Sequence, residues 1–183
     1  MHAAIGIIEL SSIAAGFKVQ DAMIKAAEVE VAIARSICPG KYLIVLGGKV
    51  ANVSSSLEVG RRLAAGFLVD TLYLAHIDQR VLPALSGCVA VPENPRALGI
   101  IETFSAASCI EAADAAIKAA QVTLLRVHAA MAIGGKGFLL LSGDVTAVQT
   151  AVEAGCQRIK ENATLVNREV ISGASRELFQ EYL

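Results

Sequence analysis

The chain contains one unit twice. "AIGIIE" (residues 4–9) returns as "ALGIIE" (97–102), and "DAMIKAA" (21–27) returns as "DAAIKAA" (114–120), both displaced by 93 residues. "GKYLIVLGGKVANV" (40–53) matches "GKGFLLLSGDVTAV" (135–148) at a displacement of 95, and Gly60 falls on Gly155 at that same spacing. The second half therefore holds two extra residues between Met131 and Gly135. A unit of about 90 residues is too long for a solenoid period and suits a small domain. The turn-rich "VPENPR" (91–96) marks the boundary, so domains are expected over residues 1–92 and 93–183.

Each unit reads in the same order. Residues 4–10 form an apolar strand. Val19, Ala22, Met23, Ala26 and Ala27 then recur at the spacing of one helix face, with Lys18, Asp21, Lys25 and Glu28 opposite. The second half repeats both stripes, Ala112, Ala115, Ala116, Ala119 and Ala120 against Glu111, Asp114, Lys118 and Gln121. Strands follow at 29–36, 42–46 and 71–75. Between the last two, Val53, Leu57, Gly60 and Ala64 mark a second helix, answered by Val148, Val152, Gly155 and Ile159. The order β-α-β-β-α-β predicts an α/β (α+β) chain of two tandem ferredoxin-like domains, each a sheet with two helices on one face.

Composition narrows the function. Apolar residues make up 55% and aromatics 4%, so the chain packs closely and leaves apolar surface that calls for a partner. A net charge of −1 gives no electrostatic basis for binding nucleic acid or an anionic membrane. No uncharged run reaches the roughly 18 residues of a membrane span, and "MHAAIGIIEL" lacks the basic start of a signal peptide. A cytoplasmic chain is expected, with Cys38, Cys88, Cys109 and Cys156 as reduced thiols. "GGKG" (134–137) lacks the spacing of a phosphate loop. His76 and His128 have no acid or oxyanion motif beside them and read as polar residues at strand ends. No catalytic constellation is visible, and a non-enzyme is expected.

The series "GIIE", "DAMIKAA" and "DAAIKAA", a Gly-Lys turn, then "GG" or "SGDV" before the second helix resembles the bacterial microcompartment shell proteins. The duplication resembles their tandem-domain, trimer-forming class. "SICPGKY" (36–42) followed by "LGG" is similar to the iron–sulfur-binding subgroup found in propanediol-utilisation microcompartments. The resemblance implies a homotrimer of pseudo-hexameric shape, a tile set among other shell proteins in the shell of a cytoplasmic microcompartment. It implies a central pore lined by Pro39, Gly40 and Lys41 and by Ile133, Gly134, Gly135 and Lys136. It implies that Cys38 binds a [4Fe-4S] cluster, one per trimer with three Cys38 ligands, and that electrons cross the shell to a redox enzyme, encapsulated or cytosolic. Lys25 and Lys118 are placed at the tile's outer edge. One thiolate is a poor iron site, whereas three on a threefold axis make a good one.

Cys88, Cys109 and Cys156 have no counterpart at a pore and read as packing residues. "VISGASREL" (170–178) departs from the Pro-Arg-Pro-His-like segment of many shell domains, so that segment's edge contact is not carried over. Two further readings stand beside the first. One keeps the tile and makes its opening a metabolite pore without a cluster; a brown trimer containing iron separates them. The other is a ferredoxin-like trimeric small-molecule sensor. That reading asks for a long mobile loop and a basic phosphate site, but only Arg61 and Arg62 are adjacent arginines.

Overall fold

Two four-stranded antiparallel sheets organise the chain, one from each repeat. In the computed structural model, residues 4–92 and 95–181 are described; Glu93 and Asn94 of the expected boundary lie outside them, as do residues 1–3 and 182–183. The first repeat runs β1 (Ala4–Leu10), α1 (Ile13–Ala26), β2 (Val29–Ile37), β3 (Lys41–Gly48), α2 (Val50–Leu63) and β4 (Leu68–Leu74), with sheet order β2-β3-β1-β4. A short α3 (Val81–Leu85) precedes the second repeat. That repeat runs β5 (Ala97–Thr103), α4 (Ala106–Ala119), β6 (Thr123–Ala129), β7 (Gly137–Gly143), α5 (Val145–Arg158) and β8 (Leu165–Ser172), in the order β6-β7-β5-β8, before a terminal α6 (Arg176–Glu181). The expected β-α-β-β-α-β order is present twice. The chain forms two compact units: one holds the chain up to Ile77 together with Ala130–Gly135, the other Asp78–Ala129 and the chain from Lys136 onward.

The repeats share their register as well as their order. Ala4 pairs with Gly48 and Ala97 with Gly143; Glu9 pairs with Leu43 and Glu102 with Phe138. Even the irregularity of the edge strand recurs, between Val31 and Ile33 and between Leu124 and Arg126. The first helix of each repeat begins on a serine. The Ser12 hydroxyl accepts from Ala15 N at 3.2 Å, and the Ser105 hydroxyl from Ser108 N at 3.1 Å, each satisfying an amide that the first turn leaves unpaired. Alternation along the strands sends every second side chain to the helices. In the first unit, Ile8, Leu10, Ile44 and Leu46 meet Val19 and Met23 of α1 and Leu57 of α2. Each such burial is worth about 1.5–3 kcal/mol.

The helix stripes depart from the expectation in an informative way. On α1, Val19 and Met23 are buried but Ala26 is exposed, and Lys18, Asp21, Lys25 and Glu28 face outward as expected. On α4, Ala112 and Ala116 are buried, but so are Glu111 and Asp114, which the pattern assigned to the polar face. Both acids are buried with partners, as burial of charge demands. Arg158 Nε lies 2.8 Å from Glu111 Oε1 and Asn162 donates to Glu111 Oε2 at 3.1 Å. Asp114 receives Lys118 Nζ at 2.6 Å and the Asp78 amide at 2.8 Å. Three repeat-related apolar pairs show the same contrast: Ile13, Phe17 and Ile24 of α1 are exposed, while Ala106, Ile110 and Ile117 of α4 are buried.

The second helix of each repeat comes close to its sheet through glycine. A Cβ added at Gly60 would lie 2.5 Å from Ile8 Cδ1 and 2.6 Å from Met23 Sδ; one at Gly155 would lie 2.7 Å from Ile101 Cδ1 and 2.9 Å from the Ala112 carbonyl oxygen. The obstacles at Gly60 are side-chain atoms of Ile8 and Met23, which can shift within the core; that at Gly155 includes backbone, which has less freedom to move. Gly155→Ala is therefore expected to cost about 1–3 kcal/mol by overpacking, and Gly60→Ala less. Urea unfolding at one fixed protein concentration compares them. A midpoint for Gly155→Ala at or above wild type would show that close approach does not limit this seam.

Candidate functional site

The residues singled out from the sequence fall on the turns that join the second and third strands of each repeat. In the first repeat, Ile37 and Lys41 form the last pair of the β2–β3 hairpin, leaving Cys38, Pro39 and Gly40 as the loop. Gly40 has φ +75°, with nothing within 4 Å of where a Cβ would stand, the left-handed position that three-residue hairpin loops give to glycine. The Cys38–Pro39 peptide is cis. Cys38 is half-buried, while Pro39 and Gly40 are exposed.

In the second repeat, Ala129 and Gly137 close the β6–β7 hairpin and the loop is longer. Four of its residues are left-handed: Ala130 at φ 60°, Ala132 at 58°, Gly134 at 67° and Gly135 at 87°. Although it comes from the second repeat, the segment Ala130–Gly135 belongs to the first compact unit. The Cys38 amide donates to the Ala130 carbonyl at 3.1 Å. Gly135 is buried, and a Cβ there would lie 2.7 Å from both the Cys38 carbonyl oxygen and Pro39 Cδ. The structure thus brings Cys38, Pro39 and Gly135 together. Gly134 is exposed and Ile133 half-buried in the same loop.

Lys41 and Lys136 turn back onto the sheet. Lys41 Nζ sits 2.7 Å from Glu9 Oε1, with the Glu9 side chain fully buried and that of Lys41 17% exposed. Lys136 Nζ sits 2.9 Å from Glu102 Oε1, but there the side chains are 43% and 33% exposed. Sequence reasoning did not single out Glu9 or Glu102, although an acid ending an apolar strand in both copies of "GIIE" was a visible signal. These pairs tie the start of β3 to the end of β1, and of β7 to β5, directly beside the turns.

The remaining thiols differ from Cys38. Cys109 is buried in α4, where burial pushes its pKa up to about 12 against a hydrogen bond from Thr103. Cys156 is buried in α5 and its thiol is also pushed up by burial, with Arg168 opposing. Both fit the packing role. Cys88 does not: it is exposed, beyond the end of α3, because the turn after that helix carries it out to solvent. Among the described residues, no three His, Cys, Asp or Glu side chains gather as a metal site within one chain, and no helix is long and apolar enough to cross a membrane. His76 is exposed after β4, and His128 lies half-buried on β6, stacked on Phe138 with ring centroids 5.0 Å apart.

The two expected edge lysines are held differently. Lys25 pairs with Asp21 at 2.7 Å on an open helix face. Lys118 pairs with the nearly buried Asp114, which also anchors the chain entering α3. There the Asp78 carboxyl is held below its usual range, chiefly by its hydrogen bond from Arg80 and against desolvation, and Arg80 also donates to the Ile117 carbonyl at 3.0 Å.

Comparison with known proteins follows the duplication. The BMC domain model matches twice, at residues 4–77 and 97–174. Over 171 residues the chain is 48% identical to the bacterial microcompartment shell protein PduT of Citrobacter freundii, covering 93% of this chain and 92% of that one. A microcompartment protein from Desulfitobacterium hafniense superposes with TM-score 0.87 at 42% identity, over 97% of this chain and 98% of the other. A fused permuted hexameric shell protein of the RMM microcompartment shares the fold, with TM-score 0.66 at 21% identity over 86% of this chain and 81% of its own.

The two ion pairs make a prediction of contrast. Lys41→Met removes the ammonium that pairs with the fully buried Glu9 carboxylate and is expected to cost about 3 kcal/mol. Lys136→Met leaves Glu102 within reach of water and is expected to cost no more than about 1 kcal/mol. Denaturant unfolding of both variants reads the difference; equal losses would mean that the burial of Glu9 is immaterial.

Proposed function

The chain belongs to the BMC-domain family of bacterial microcompartment shell proteins, with the domain present twice, and from that premise we propose that three copies close a pseudo-hexameric tile whose central opening binds one [4Fe-4S] cluster through Cys38. The tile sits among other shell proteins in the shell of a cytoplasmic microcompartment. Its role is structural, and it passes electrons across the shell to a redox enzyme, encapsulated or cytosolic.

The observation that carries this reading is the contact between the Cys38 turn and Ala130–Gly135, its own counterpart from the other repeat. Successive positions of a ring built from repeats would bring such turns side by side around an axis. A second support is the unequal cover of the first helices. Ile13, Phe17 and Ile24 stand exposed where the matching positions of α4 are buried, and apolar patches of this kind mark protein–protein contacts. A ring of three chains would cover each α1 with the next copy.

The donor set fits the group. Iron–sulfur clusters take thiolate ligands, and Cys38 is a half-buried thiol on an otherwise exposed turn. Cys109 and Cys156 are buried in helices and cannot turn toward an opening. Each chain offers one cysteine in this turn, so only threefold assembly brings the count to three. When bound, such a cluster supplies one-electron transfer. The chain's part is to hold Cys38 at a fixed place, with the β2–β3 hairpin behind it and the Lys41–Glu9 pair at its base.

The test is anaerobic purification followed by sedimentation, visible absorption and iron analysis. A trimer with about four irons is expected. Cys38→Ser should lose that iron and keep the trimer, because a neutral hydroxyl is a poor substitute for a thiolate; Cys109→Ser should keep both. A colourless, iron-free wild-type trimer would favour the metabolite pore, and a stable monomer at micromolar concentration would remove the ring itself.

Tiling makes a separate prediction. If Lys25 and Lys118 meet neighbouring tiles, Lys25→Ala combined with Lys118→Ala should leave the trimer intact and weaken two-dimensional sheets seen by electron microscopy. The contribution of Lys118 should be the smaller, since Asp114 holds it. Sheets that form unchanged would leave these lysines as solvated helix charges.

A further inference from the structure

We propose that Ala130–Gly135 is a clamp that positions Cys38, and that Gly135 is the residue on which the clamp depends; the proposal rests on the reading of Cys38 as an iron ligand. Both backbone polar groups of Cys38 meet this segment. Its amide donates to the Ala130 carbonyl at 3.1 Å, and its carbonyl oxygen lies 2.7 Å from where a Cβ on Gly135 would stand. That oxygen belongs to the residue that carries the thiol, and as backbone it cannot rotate aside. Pro39 Cδ is equally close at 2.7 Å and the Cys38 carbonyl carbon stands 3.3 Å away, so the added methyl meets the Cys38–Pro39 peptide itself. An alanine at residue 135 must therefore push the Cys38–Pro39 peptide away.

The clamp is built to hold rather than to flex. Ala130 and Ala132 both lie in the left-handed region, at about 1–2 kcal/mol each for a residue with a side chain. Such conformations persist where the surroundings over-determine them. Gly66, in the turn between α2 and β4, supplies the contrast. It too is left-handed, at φ +85°, but nothing lies within 4 Å of its added Cβ. The two glycines thus share a backbone demand, and only Gly135 lies against the Cys38 turn. Residues that orient a metal ligand without binding the metal change affinity by roughly 10–100-fold when lost.

The experiment compares Gly135→Ala with Gly66→Ala, both in a Cys88→Ser background so that Cys38 is the accessible thiol. Two quantities are read on protein shown by circular dichroism and sedimentation to keep its fold and assembly: iron bound after anaerobic purification, and the rate of Cys38 alkylation by iodoacetamide in iron-free protein at one pH. Gly135→Ala is expected to weaken iron binding about tenfold or more and to change the alkylation rate severalfold, with Gly66→Ala close to wild type in both. Wild-type behaviour of Gly135→Ala, or equal effects from the two glycines, would overturn the clamp. Hydrogen exchange of the wild-type Cys38 amide decides the matter should Gly135→Ala not fold. Protection like that of the β2–β3 ladder is expected, and exchange as fast as that of the exposed Gly40 amide would overturn it. If the wild-type protein binds no iron, the cluster reading fails, while alkylation and exchange still judge the clamp.

Discussion

At Gly60 and Gly155 the helix crossing each sheet has no side chain, and Ile8 in one repeat and Ile101 in the other fill the space. The rest of each domain depends on that approach. With 4% aromatic residues and no tryptophan, the chain cannot bridge a wide gap between layers; it has to bring the layers together until aliphatic side chains touch. The glycine sits at the same place in both halves, so the helix lies at the same depth on both sheets. The strand register and the edge-strand irregularity are likewise shared by the two sheets. A turn at the end of such a sheet is held by a stiff base, which a ligand-bearing residue needs.

Against that common frame, the differences between the repeats are local. Glu9 is fully buried beneath Lys41, whereas Glu102 shares water with Lys136. The first connection is a compact Cys-Pro-Gly loop, whereas the second runs from Ala130 to Lys136 and opens into left-handed glycines. α1 leaves Ile13, Phe17 and Ile24 uncovered where α4 is closed. Each difference lies at a turn or on an outer helix face, where a change does not disturb the packing between helices and sheet.

The strands and long helices were legible because their apolar spacing is set by the faces they bury, and because each half of the sequence checks the other. What escaped has physical reasons. α3 and α6 are too short for a helical period to show, and α3 contains a proline. The burial of Glu111 and Asp114 depends on Arg158, Asn162 and the Asp78 amide, groups that come from other segments, so a pattern within α4 alone points outward. Cys88 looked like a packing residue because a small apolar side chain is usually buried; the turn after α3 decides otherwise. At the candidate site, the Cys38 turn was visible as a motif. Its contacts with Ala130 and Gly135 join residues more than half the chain apart, and no local pattern encodes them.

Duplication has a chemical consequence on the proposed reading. Six identical domains in a ring would present six identical turns, and a cysteine in one would be a cysteine in all. A cube-shaped cluster can take one thiolate per iron, so a sixfold set exceeds what it can use. Joining two domains in one chain lets their turns diverge. One can carry the ligand, and the other, with Met131 at the cysteine's repeat-related position, can give up its thiol and supply the surface that holds its neighbour. The hydrogen bond from Cys38 to Ala130 and the bare face of Gly135 are what such a division of labour requires. The threefold ligand count and the clamp would then have a common origin in the loss of sixfold equivalence.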